Sequence, residues 1–199
     1  MIIKSIAPTS YLGMYKIAPD QGPAFFIRKE YLPGLEFDLI EVGAEFDEEE
    51  TDQILDAGLA SVVELKAVEY LARAEQSRFG LTRKLIQKKY EKKYIDLALS
   101  FLESAEYLSD RRFARAWLHA RRLNHYEGRT KLLAELQGRG IAKDVATEAV
   151  ADFFTENDEM EICKKARKKF VKAGKEGDKL IAAMMNAGFS YKMIKEVLE

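Results

Sequence analysis

The chain is short of the residues that usually build enzymatic sites. Its single cysteine, Cys163, excludes an intrachain disulfide and any multi-cysteine metal centre; set between Ile162 and a lysine pair, it reads as a part-buried thiol on a helix. Its two histidines, His119 and His125, lack metal-ligating companions at useful spacing and read as surface or capping residues. Only 4 prolines and 12 glycines in 199 residues argue against a loop-rich β protein, and the sparse turn chemistry makes helices the expectation. The phosphate-binding GxxxxGK and GxGxxG patterns, the HExxH metal motif, paired CxxC and the GxSxG nucleophile elbow are all missing, so no catalytic, cofactor or metal residue is expected. No apolar run approaches the ~20 residues of a membrane span, and the opening MIIKSIAPTSYLG lacks the apolar core of a signal peptide. A cytoplasmic protein without a membrane segment, cofactor or small-molecule substrate is expected.

What is present is charge, and it is segregated. The formal net charge of −1 conceals an acidic beginning and a basic middle. Residues 1–60 carry 4 Lys/Arg against 12 Asp/Glu, residues 61–145 carry 18 against 11, and residues 146–199 carry 10 against 10. A basic middle suits a polyanionic partner, because Lys and Arg displace counterions from phosphates whatever the sequence. Charge alone equally fits a solvated face balanced by an acidic segment.

From residue 2 to about 45, β-favouring runs such as YLGMYKIA and AFFIRKEYL alternate with turn signals, which predicts a small β-rich unit. Asp47 then opens DEEETDQILDAGL, whose carboxylates crowd the first turn of a helix, where the dipole favours them. Beyond it the chain repeats itself. A shift of 48 residues lays Lys131-Leu132-Leu133-Ala134 on Lys179-Leu180-Ile181-Ala182, Leu136 on Met184, Gly140 on Gly188 and Ile141 on Phe189. A weaker copy at an offset of 51 sets Leu81 on Leu132, Leu85 on Leu136, Tyr90 on Ile141 and Tyr94 on Val145, with Lys89 where Gly140 stands. The repeated unit is a helical hairpin, and further helices are predicted before each copy at about 62–76, 110–124 and 157–173. The expected architecture is mainly α: a β-rich unit over 1–60 that ends in a helix, then three-helix repeats over 61–108, 109–155 and 156–199 stacked as an elongated, curved array.

In the second repeat Ser109 can cap a helix on which Phe113, Ala114, Trp117 and Leu118 share a face. Arg111, Arg115 and Arg122 fall within roughly 40° of one another on the other side, forming a basic stripe. Arg121 projects near the apolar arc, where its stem should be covered while its guanidinium reaches a carboxylate or the helix end. Arg83, Lys84, Lys88, Lys89, Lys92 and Lys93 cluster around Tyr90 and Tyr94 in the first hairpin. The tyrosines could stack on bases, but their register with Ile141 and Val145 makes them core positions.

The string Tyr107-Leu108-Ser109-Asp110-Arg111-Arg112-Phe113-Ala114, followed by Trp117, Arg121, Gly128-Arg129, Leu132, Glu135-Leu136 and Gly140-Ile141, resembles the middle repeat of the RecX family of recombination regulators in order and spacing. The whole stretch from Ala67 to Val150 looks like that family. Ser77, Leu81, Leu85 and Tyr90 resemble its first repeat, Met160 onward is similar in layout to its third, and residues 1–60 resemble an extension some members carry; Lys89 departs from the small residue expected at the first hairpin. The resemblance implies a regulator of homologous recombination and DNA repair. Such a protein binds RecA and the RecA–single-stranded DNA filament and restrains its ATPase, strand-exchange and coprotease activities. Charge and placement away from the inferred core select Arg111, Arg115, Arg122, Lys131 and Arg139 as contact residues, with Arg83, Lys84 and Lys88 next. The competing readings are a helical module that binds nucleic acid directly without RecA, and an adaptor joining two proteins.

Overall fold

The computed structural model describes residues 1–123 and 125–199. The expected helix at about 110–124 includes Asn124, which lies outside the described residues. The described residues form a three-stranded antiparallel sheet and nine helices. The strands are β1 (Ile3–Pro8), β2 (Met14–Pro19) and β3 (Phe25–Arg28) in the order β1-β2-β3. Met14 and Ile17 are buried on β2, and Ile6 stands opposite Ile17 in the register. The sheet is the expected β-rich unit, although the second apolar run is strand only as far as Arg28 and turns into a short 3-10 segment at Lys29–Tyr31.

The helices are α1 (Glu48–Leu71), α2 (Arg78–Gln87), α3 (Lys92–Ser104), α4 (Asp110–Arg122), α5 (Arg129–Gln137), α6 (Lys143–Glu156), α7 (Glu159–Lys172), α8 (Gly177–Asn186) and α9 (Tyr191–Leu198). α1 starts where the acidic run predicts. The Asp47 carboxylate accepts from the Glu50 N–H (2.9 Å), and the Glu50 carboxylate accepts from the Asp47 N–H (3.1 Å). The separate helix expected over 62–76 is the second half of this same α1, so position 60 falls inside a helix. The sequence between Ile54 and Val62 holds no breaker except Gly58, and a Cβ there would meet the Phe25 ring at 2.7 Å, so glycine is retained for packing.

The chain forms two compact units. One contains Met1–Ala74 and Leu81–Leu108; the other contains Glu75–Gly80 and Ser109–Glu199. In the first, the sheet and α1 share one core with α2 and α3, built on Ile3, Ile17, Ile27, Ile54, Leu85 and Leu99. At its centre the Arg28 guanidinium donates twice to the Glu64 carboxylate (2.7 and 2.6 Å), Tyr31 donates its hydroxyl to the same group (2.8 Å), and Arg28 lies 4.1 Å over the Phe101 ring. Burial opposes the charge on Arg28, but the Glu64 bonds outweigh it and leave the guanidinium harder to deprotonate than usual. The second unit has two smaller cores. Ala114, Leu118, Leu136, Val150 and Phe153 join α4, α5 and α6; Cys163, Ala166, Met184, Phe189 and Ile194 join α7, α8 and α9; Ile162 packs against both.

The three predicted hairpins close with the same turn. Tyr90 N–H bonds to Leu85 O (3.3 Å), Ile141 N–H to Leu136 O (3.2 Å) and Phe189 N–H to Met184 O (3.3 Å), the long bond of a Schellman motif. The residue before each is left-handed: Lys89 at φ 69°, Gly140 at 82° and Gly188 at 92°. Lys89 therefore makes the turn that glycine makes in the other two copies, against the steric preference of its Cβ. Backbones also meet directly between the second and third repeats, where Gly128 N–H bonds to Ala187 O (2.9 Å). A Cβ on Gly128 would stand 2.4 Å from Gly188 O.

Candidate functional site

The string Ser109–Ala114 mostly builds structure. The Ser109 hydroxyl accepts from the Arg112 N–H (3.3 Å) and caps α4 as expected. Asp110 accepts from the Arg78 N–H (2.8 Å), and Arg112 pairs with Glu75 (2.7 Å), so two residues in the first turn of α4 hold the Glu75–Gly80 segment. Ser77 fastens the same segment, donating to Arg139 O (3.0 Å). Ala114 and Leu118 are buried, with Phe113 and Trp117 packed against their core.

The basic stripe lies on α4 as predicted, and it faces α6. Arg111 pairs with Glu148 (2.6 Å), Arg115 with Asp152 (3.0 Å), and Arg122 donates to Asn157 (2.6 Å). The stripe is therefore a row of half-exposed guanidiniums, two of them held by carboxylates one helical turn apart on a neighbouring helix. Glu148 and Asp152 repeat the i, i+4 spacing of Arg111 and Arg115, which is the sequence signal that could have identified them. A cavity of about 310 Å³ between α4 and α6 is lined by Arg115, His119, Asp152 and Phe153. His119 is exposed and stands edge-on to Phe153.

At the other edge of α4, Arg121 makes two bonds to Glu127 (2.6 and 2.9 Å), the carboxylate its position called for; this hydrogen bonding holds the guanidinium charged more firmly than usual. Trp117 is flanked by two guanidiniums, with Arg121 at 5.0 Å and Arg139 at 4.5 Å from its ring. Arg139 also pairs with Glu135 (2.7 Å), which Lys131 reaches at 3.2 Å. The Arg139 hydrogen bond is the main reason that the Glu135 carboxyl lies below its ordinary range.

Arg83 and Lys84 lie on α2 and Lys88 in the turn just after it, all in the first unit, whereas the five residues ranked ahead of them belong to the second. Lys84 stands 5.2 Å over the Tyr70 ring. Tyr94 is buried and Tyr90 packs against the same core, as the repeat register predicts. Lys93 pairs with Asp56 (3.1 Å) and Lys92 with Asp96, so part of the first hairpin's charge is also neutralised within the chain. Cys163 is wholly buried rather than part-buried, and desolvation pushes its thiol up to about 11. Among the described residues no group of three or more His, Cys, Asp and Glu side chains could hold a metal ion, and no helix is long and apolar enough to cross a membrane.

Comparison with known proteins bears on family and fold. The family model described as "RecX, second three-helix domain" matches residues 109–150, which are α4, α5 and most of α6. The regulatory protein RecX of Treponema pallidum is 33% identical over 135 residues, covering 68% of this chain and 82% of that one. That of Herbaspirillum seropedicae is 29% identical over 137 residues, covering 67% and 87%. A crystal structure of a regulatory protein RecX superposes with a TM-score of 0.75 at 22% identity, covering 98% of both chains. RecX from Lactobacillus salivarius gives 0.60 at 18% identity over 70% of this chain and 94% of the other. The two structures establish a shared fold, and the coverage and identity of the Treponema relative go further: the chain belongs to the RecX family of regulatory proteins.

Proposed function

We propose that this chain binds RecA and the RecA–single-stranded DNA filament in the cytoplasm and restrains the filament's ATP hydrolysis, strand exchange and coprotease activity, thereby regulating homologous recombination and DNA repair. It acts by binding. The contact residues are Arg111, Arg115, Arg122, Lys131 and Arg139, with Arg83 and Lys84 of α2 and Lys88 of the following turn contributing. The observation that carries this reading is the α4 row: Arg111 and Arg115 are each 53% exposed and each held by a solvent-exposed carboxylate. Such surface pairs contribute about 0–1 kcal/mol, so a guanidinium exchanges its carboxylate for a phosphate or a partner's carboxylate at little cost. A bidentate guanidinium fork suits either acceptor, and two forks one turn apart match a periodic ligand.

The test is RecA ATPase on single-stranded DNA with this protein titrated in substoichiometric amounts, beside a mobility assay of the protein on DNA alone. ATPase should fall well below one protein per RecA. The paired reversal Arg111→Glu and Arg115→Glu should abolish the effect while the far-ultraviolet spectrum is unchanged. Unaltered ATPase together with tight, salt-sensitive DNA binding would replace this reading with a plain nucleic-acid-binding module.

A further inference from the structure

α1 is apolar on two sides. Ile54, Ala57, Ala60, Val63 and Ala67 face the core of the first unit. A second line, advancing by alternate steps of four and three residues, runs Glu48, Asp52, Leu55, Leu59, Val62 and Lys66 on the outer side. Its middle three members are 43%, 47% and 41% exposed. They border a groove of about 640 Å³ whose other wall includes Pro19, Pro23 and Phe25. One exposed leucine is ordinary, but three successive apolar positions beside an apolar groove mark a surface that is covered by something. A helix apolar on both sides buries both.

We propose that a second copy of this chain covers it, with the two α1 helices antiparallel about a two-fold axis at Leu59. Charge selects this occupant. The line is acidic at one end, apolar in the middle and basic at the other; Asp52 and Lys66 lie seven residues to either side of Leu59, and Leu55 and Val62 lie four before it and three after it. An antiparallel copy sets Leu59 on Leu59, Leu55 beside Val62, and Asp52 against Lys66 at both ends, so the patch is its own complement, as a two-fold interface requires. A parallel copy would oppose Asp52 to Asp52 and Lys66 to Lys66. The four-three spacing is that of a helix seam whose side chains interlock. Lys66 now holds Glu69 (2.5 Å) in a surface pair that exchanges freely.

The experiment measures the mass of the full chain by sedimentation equilibrium over a wide range of concentration. A monomer–dimer equilibrium is expected, and Leu59→Asp should weaken it by roughly tenfold or more, the scale of a central anchor. Asp52→Lys and Lys66→Asp should each weaken the dimer, and D52K/K66D together should restore it, because the reciprocal pair is only reversed. Leu59→Cys should cross-link to itself under oxidation, Cys163 being buried and inert. A chain that stays monomeric throughout overturns the proposal, as does a dimer indifferent to Leu59→Asp or a double reversal no better than the single ones. If Leu59→Asp loses helical signal, the charge reversals decide.

Discussion

In the first unit the Arg28–Glu64 pair is almost wholly withdrawn from water, with 6% and 4% of the two side chains exposed, whereas in the second unit Arg111–Glu148 and Arg115–Asp152 keep roughly half of each side chain in solvent. The chemistry is the same guanidinium–carboxylate contact in both places, and burial decides what it does. Withdrawn from water, Arg28 and Glu64 cannot exchange each other for a solvent-borne ligand, so the pair acts as a fixed tie between the end of β3 and α1. At the surface the pair is replaceable, and replaceable pairs suit recognition of a charged ligand.

Breaking the buried tie should have the largest effect. Glu64→Gln leaves the Arg28 charge uncompensated in the core and should cost about 3–5 kcal/mol, seen as a lower urea midpoint. Next comes the turn at Gly140, where a Cβ would stand 2.3 Å from the Phe79 Cβ at a φ of 82°. Gly140→Ala should cost about 2–4 kcal/mol through overpacking and left-handed strain together, with a matching fall in melting temperature. The surface pairs should behave in the opposite way: Arg111→Ala with Arg115→Ala should change stability by about 1 kcal/mol or less while weakening filament binding. Neutralising their partners with Glu148→Gln and Asp152→Gln should tighten that binding, because the carboxylates compete with the ligand; unchanged affinity would mean that the pairs are not exchanged on binding. The smallest effect belongs to Lys89→Gly, which relieves one left-handed lysine and should stabilise the first unit by about 1 kcal/mol.

The repeats were legible because they are written in local terms. The stop at Gly140 and Gly188, the cap at Ser109 and the apolar register of Leu132, Leu136 and Ile141 each depend on residues within one or two turns, and each stands where the spacing predicts. The Lys89 turn was legible only in part, since the register located it while its residue type argued against the geometry it adopts. Arg28 and Glu64 are 36 residues apart and α1 carries Glu64 on its buried face, so nothing short of the tertiary fold announces their meeting. The carboxylates opposite the arginine stripe are 37 residues away, so the stripe could be drawn from one helix while its neutralisation left only the matching i, i+4 spacing of Glu148 and Asp152 as a signal. The expected break near residue 60 failed for another reason: it came from assigning the acidic helix and the helix at about 62–76 to different units, whereas α1 runs unbroken through both.

The contact of Gly128 with Ala187 and Gly188 has a mechanical meaning. Most joints between packed helices are cushioned by side chains, which can change rotamer and let one element slide against the next. Here the backbones touch with no side chain between them, so there is nothing to compress. The joint between the second and third repeats is thus set by backbone geometry, and a methyl group at residue 128 or 188 would be a wedge between them.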